Sequence, residues 1–179
     1  MNRISKTLAA LMAASLLLLS GCYPEQRNLT DSSSTGQTRS AQTQSESFSF
    51  STEDMKGNEV TMDNFAHAKV VMFNMWEPWC GPCRSELPDL QKLYDKYQSE
   101  GLVIVGVFSD EDGVSDIVSQ NGITYPMIRS CAAFDRFQSG YVPTTFFTDG
   151  QGNVLSDESV IGSNSYGEWE SIILSYLNR

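Results

Sequence analysis

Residues 69–90 read KVVMFNMWEPWCGPCRSELPDL, and the way this stretch divides decides the fold. Its first eight residues, 69–76, are a nearly continuous apolar run, the mark of a central strand buried on both faces. Past the cysteines the pattern turns helical: Leu87, Leu90, Leu93, Tyr94 and Tyr97 recur at helical spacing through residue 99. Pro88 lies inside that helix and is expected to kink it. Cys80 and Cys83 thus fall where a strand hands over to a helix, with Pro82 in the first turn, where its missing N–H is no loss.

Working outward, GLVIVGVFS (101–109) is a second buried strand reached through the helix, a βαβ unit whose strands should be parallel. Residues 110–121 read as a weaker, polar helix, TYPMI (124–128) as a short extended piece, and CAAFDRFQ (131–138) as one or two helical turns. TTFFTDGQGNVLSDESVIG (144–162) is a strand, a Gly-rich turn and a returning strand, hence an antiparallel hairpin. The last helix opens with a capping box at Ser165 and Glu168. Its stripe of Trp169, Ile172, Ile173, Tyr176 and Leu177 reads as core packing rather than a binding face. Upstream, FSFST (48–52) alternates apolar and polar residues, and Gly57-Asn58 marks a turn before a second short strand, a leading hairpin. The expected fold class is α/β, a central mixed sheet flanked by helices with an N-terminal β-hairpin extension.

The chain has 179 residues, one domain with extra length, and 40% hydrophobic residues, enough for a packed core. Its formal charge of -10 repels phosphate backbones, so nucleic acid is excluded as a partner. Residues 1–21 have the form of a signal peptide: Arg3 and Lys6, then an apolar run too short for a comfortable membrane span. The run ends in LSGC (19–22), which resembles a bacterial lipobox and makes Cys22 the expected lipid-bearing N-terminus; two acyl chains are what stable anchoring needs. Residues 22–46, rich in Ser, Thr and Gln, have little to bury and read as a flexible tether with a reach of about 25–30 Å. Residues 47–179 are the folded domain.

Three chemistries compete for Cys80 and Cys83. Structural zinc needs four ligands, and the remaining candidates, Cys131 and the single His67, sit in unrelated contexts. A structural disulfide across two residues closes too short a loop to stabilise much by chain entropy. The redox reading has a mechanism. At a helix N-terminus, backbone N–H groups and the macrodipole favour thiolate over thiol at Cys80, and thiolate is what attacks a disulfide. Cys83, one turn on, is placed to resolve the mixed disulfide. No cofactor or metal beyond the cysteine pair is expected.

NMWEPWCGPCRSELP (74–88) followed by YVPTTFFTD (141–149) resembles the thioredoxin superfamily, and within it the membrane-tethered TlpA/ResA-type thiol–disulfide oxidoreductases, over about residues 47–179. The resemblance implies Cys80 as nucleophile, Cys83 as resolving thiol, and a cis bond between Val142 and Pro143 facing the disulfide. Backbone groups around Val142 would pair with an extended client segment, with Trp79, Gly81 and Pro82 completing the contact surface. The cytoplasmic thioredoxin pattern has a buried aspartate where this chain has Asn74; the TlpA/ResA-like branch instead has the glutamate matched by Glu86, a carboxylate that can exchange protons as Cys83 is activated. Trp76 is read as core or as part of the docking surface, Glu77 as a surface charge with an influence on Cys80 or a choice of basic partners as the alternative, His67 as a surface residue, and Cys131 as a small apolar residue with a third redox thiol as the alternative.

The function implied is extracytoplasmic, lipid-anchored disulfide reduction by a monomer. The implied clients are exported proteins such as apo-cytochrome c or methionine sulfoxide reductases, with electrons from a membrane donor of the CcdA or DsbD kind. A disulfide oxidase or isomerase is the alternative. A copper-binding assembly module is a further, weaker alternative, because this chain lacks the CxxxC and downstream histidine of the copper carriers, and a peroxiredoxin would need threonine where Glu77 stands.

Overall fold

The computed structural model describes residues 47–179; the expected signal peptide, Cys22 and the tether lie outside the described residues. The elements follow in the order β1 (Ser51–Glu53), β2 (Glu59–Thr61), β3 (Val70–Met75), α1 (Gly81–Tyr97), β4 (Leu102–Phe108), α2 (Val114–Gln120), β5 (Met127–Arg129), β6 (Thr144–Thr148), β7 (Val160–Ile161) and α3 (Tyr166–Leu177). Five strands form one sheet in the order β5-β4-β3-β6-β7. β3, β4 and β5 are parallel, whereas β6 runs antiparallel to β3 and β7 antiparallel to β6. β1 and β2 form the separate leading hairpin, which meets the edge of the sheet through a bridge from Asp54 to Ile128.

All six residues of β3 are buried, as a strand at the centre of a sheet covered on both sides must be. Its alternation sends Val70, Met72 and Trp76 into a core shared with Leu87, Leu90 and Leu93 of α1 and Trp169 and Ile173 of α3. Val71, Phe73 and Met75 enter a second core, dominated by phenylalanine, on the opposite face. Asn74 therefore projects from the face that α1 and α3 cover. This parity places a polar side chain beneath the helix that carries the cysteines.

The opposite face has no long helix over it. It is closed by the short helical stretches Met62–Phe65 and Ala132–Phe137 and by the segment before β1. Phe48 is the centre of that closure, with ring centroids 5.2 to 5.6 Å from Phe50, Phe73, Phe134, Phe137 and Phe146.

Two local expectations need adjustment. The alternation at 48–52 is real, with Phe48 and Phe50 buried and Ser49 exposed, but the ladder begins only at Ser51, because the Phe48 N–H donates to Gly152 O at 2.7 Å instead. The returning strand of the last hairpin is interrupted: Val154 bridges Thr148, and pairing resumes only at Val160–Ile161. α1 is helical without interruption through Pro88, whose ring removes one hydrogen bond.

Phe48→Ala should lower the free energy of unfolding by about 3–5 kcal/mol, the usual range for emptying a buried aromatic site. Its exposed neighbour Ser49→Ala should stay within about 0.5 kcal/mol of the parent. Urea unfolding of the two variants checks the assignment.

Candidate active site

The chain leaves β3 at Met75, and the Trp76 N–H still donates to Val107 O of β4 (2.9 Å). A turn closed by Cys80 N–H donating to Glu77 O (3.0 Å) then delivers Cys80 to the start of α1. Cys80 is the N-cap, in extended conformation, and its Sγ accepts the Cys83 N–H at 3.2 Å. Sulfur thus takes the capping position that an oxygen from Ser or Asp normally fills. The two cysteines are joined in a disulfide with Cα atoms 5.3 Å apart. Cys83 is fully buried, whereas Cys80 retains 6% exposure, so an incoming group meets Cys80 first.

Trp76 is completely buried against Gly106, where a Cβ would run into both the Trp76 indole and the Met127 sulfur. Trp79, by contrast, is 69% exposed. Across from the disulfide the Val142–Pro143 peptide is cis, and Val142 O lies 3.6 Å from Cys80 Sγ. The Thr144 hydroxyl donates to Tyr141 O at 2.7 Å and fixes this loop. Between Trp79 and the exposed Tyr141 lies a groove of about 440 Å³, floored by Met75, Val107 and Val142. A segment with an apolar side chain beside its own cysteine would fit there.

One turn after Cys83 on α1 sits Glu86, 3% exposed. Its Oε2 accepts the Trp169 indole N–H (2.9 Å) and the Asn164 backbone N–H (3.2 Å). Its Oε1 accepts from Asn74 Nδ2 (3.0 Å), which also donates to Thr145 Oγ1 (3.0 Å), the residue opposite Asn74 in β6. Burial pushes the Glu86 carboxyl above its ordinary value, against the opposing pull of the Trp169, Asn74 and Asn164 hydrogen bonds. Asn74 Oδ1 is buried and accepts no hydrogen bond among the described residues.

The positions singled out in the sequence therefore come together: Cys80, Gly81, Pro82, Cys83 and Glu86 on α1, Trp79 just before it, and Val142 and Pro143 opposite. Glu77 is not a free surface charge. Its carboxylate accepts the Ser109 and Asp110 N–H groups at 3.1 and 2.9 Å and so braces the loop after β4. Cys131, the free cysteine among the described residues, is half-buried against the phenylalanine core. His67 is exposed. Trp169, Asn164 and Thr145 were not recognised as site residues from the sequence. The stripe on α3 marks Trp169 as buried, but nothing local reveals an indole partner 83 positions away. Among the described residues no group of three or more His, Cys, Asp or Glu is arranged to hold a metal ion, and no helix is long and apolar enough to cross a membrane.

The AhpC/TSA family profile matches residues 43–156. The chain belongs to this family. The thiol-disulfide oxidoreductase ResA of Bacillus thuringiensis (strain Al Hakam) is 30% identical over 133 residues, spanning 69% of this chain and 72% of that protein. The ResA of Geobacillus kaustophilus (strain HTA426) is 32% identical over 105 residues, spanning 56% and 60%. Among solved structures, a thiol:disulfide interchange protein of the thioredoxin family from Chlorobium tepidum TLS is 27% identical with a TM-score of 0.64, covering 73% of this chain and 94% of its own. The fold is thioredoxin-like, and this AhpC/TSA member is a thiol–disulfide oxidoreductase.

Since the folded AhpC/TSA domain holds the Glu86 proton to higher pH than the unfolded chain does, its contribution to stability is complete below the usual carboxyl value of 4.5. That contribution drains away as pH rises through the elevated folded value. Glu86→Gln has no proton to release, and its amide can be matched by a rotated Asn74. Its stability should therefore rise relative to the parent from pH 4.5 toward neutrality, measured by urea unfolding across that window. A difference independent of pH would contradict the burial of an ionisable group here.

Proposed function

We propose that the chain is a disulfide reductase acting outside the cytoplasm, held to the membrane by lipid on Cys22. The observation that carries this reading is Cys80 Sγ at the opening of α1, within 3.6 Å of the Val142 carbonyl. In the dithiol form, the Cys80 thiolate attacks one sulfur of a client disulfide, forming a mixed disulfide and releasing the other client sulfur as thiolate, which takes up a proton. Glu86 takes the proton from the Cys83 thiol; the Cys83 thiolate then attacks Cys80 Sγ, closing the internal disulfide and expelling the second client sulfur. Two electrons have passed to the client, and the protein returns to its oxidised state. A membrane donor of the CcdA or DsbD kind supplies the electrons for the next cycle.

The client lies along the Val142 backbone in extended form, with a side chain in the groove between Trp79 and Tyr141, and the exposed Gly81 and Pro82 beside Cys80 complete the contact surface. Exported proteins with an oxidised cysteine pair, such as apo-cytochrome c or methionine sulfoxide reductases, are the client class. The Gly81-Pro82 dipeptide between the cysteines supports the reducing direction, since it resembles that of reducing members. The protein acts as a monomer.

Cys83→Ser should accumulate mixed disulfides through Cys80 when expressed with its signal and anchor, because the resolving thiol is gone. Cys80→Ser should accumulate none, and Cys131→Ser should behave as the parent. Non-reducing electrophoresis followed by mass spectrometry of the trapped species reads all three. Equal trapping by Cys83→Ser and Cys80→Ser would overturn the assignment.

A further inference from the structure

Glu86 is held from a part of the chain that the thiol chemistry does not otherwise involve. We propose that Trp169 of α3 is a positioning residue for the Cys83 step: its indole N–H, with the Asn164 amide, fixes Oε2 of Glu86 so that proton exchange is confined to Oε1. This rests on the role given to Glu86 above.

The two carboxylate oxygens are unequal. Oε2 already accepts two N–H donors, from Trp169 at 2.9 Å and Asn164 at 3.2 Å, and an N–H cannot yield its position to a carboxyl proton. Oε1 accepts one hydrogen bond, from Asn74 Nδ2. Asn74 can serve either state of that oxygen. As placed, its amide donates to the carboxylate; rotated half a turn, its otherwise unmatched Oδ1 accepts from a protonated Oε1 and from the Thr145 hydroxyl. Proton uptake at Oε1 therefore needs a side-chain rotation and no new space. Uptake at Oε2 would displace at least one of its two N–H donors in a buried site.

The groups around Glu86 leave few competing titrations. Asn74 faces it from β3, Trp169 and the Asn164 amide from α3 and its entry, Cys83 precedes it on its own helix, and Tyr125 lies toward β5. Of these, Cys83 and Tyr125 titrate, and burial together with the Glu86 charge pushes Tyr125 far up, so that it stays neutral through the range of interest. α3 is also pinned to α1 independently of the indole, since Glu170 accepts from both Lys96 Nζ and Tyr97 Oη at 2.8 Å. Losing the indole N–H should not detach the helix.

The test is the pH dependence of resolution in a single turnover: Cys80 is loaded with thionitrobenzoate as a mixed disulfide and its release by Cys83 is followed from pH 4 to 9. Removing a donor from the ionised carboxylate should move the acidic limb to higher pH, slowing release about tenfold on that limb and leaving the alkaline plateau unchanged. Trp169→Phe is the first variant. Replacing Trp169 with benzothienylalanine, which exchanges the N–H for sulfur at nearly constant shape, is the second and removes the bond while preserving the packing. Both shifts should vanish in a Glu86→Gln background. Superimposable profiles for benzothienylalanine and parent, or a shift that persists with Glu86→Gln, would overturn the proposal. If Glu86→Gln alone leaves the profile unchanged, the proton role of Glu86 fails and this inference with it; if Glu86→Gln alters the profile and the indole replacement does not, only the positioning role fails.

Discussion

A sulfur caps a helix, and the rest of the site is arranged around that contact. The first backbone N–H groups of a helix have no partner within it. α1 meets this with Pro82, which has no N–H to satisfy, and with the Cys83 N–H directed at Cys80 Sγ. The contact requires that α1 begin where it does. That position is set by Leu87, Leu90 and Leu93, which anchor the helix in the core beneath it, and by β3, which runs buried to within a few residues of the cysteine. Chemistry at Cys80 is thus a consequence of how a strand and a helix are packed.

The two faces of the sheet divide the work. One is closed by phenylalanine rings centred on Phe48, and β6 adds only the hydroxyls of Thr144 and Thr148 to it, with no buried charge. The other carries a carboxylate, an asparagine and a threonine in its interior, together with two tryptophans. Burying Glu86 costs stability near neutrality, and a domain of this size tolerates it because the phenylalanine face supplies apolar burial without such a burden. The hydrogen bonds from Trp169, Asn164 and Asn74 reduce the cost without removing it, which leaves the carboxyl able to change protonation state.

Much of the fold was legible because β3, β4 and α1 announce themselves by uninterrupted or helically spaced apolar residues, and the cysteines mark their junction. Glu86 and Pro143 were visible through the resemblance, since neither burial of the first nor the cis bond of the second follows from local pattern. What escaped were contacts made over long separations. Glu77 reads as a surface charge until the loop after β4 folds back and offers it two amides. Trp169 reads as core, and it is core, but the destination of its N–H depends on how α3 docks against α1. Asn74 entered only through the resemblance, as the residue standing where an aspartate is the pattern; its meaning came from strand parity, which turns it toward Glu86, and from the register that sets Thr145 beside it.

The chain belongs to the AhpC/TSA family, and Glu77 stands three residues before its first cysteine. A carboxylate bound to two backbone amides stands where a peroxide-reducing site would need a hydroxyl, while the cysteine pair stays free to exchange with another disulfide. The measurement that tests the account most directly is the rate of alkylation of Cys80 by iodoacetamide in the fully reduced protein as a function of pH. The account predicts rapid modification that persists well below the range in which an unperturbed thiol ionises, about 8.5. A rate that rises only through that ordinary range would show that the start of α1 does nothing to the sulfur, and would contradict the account.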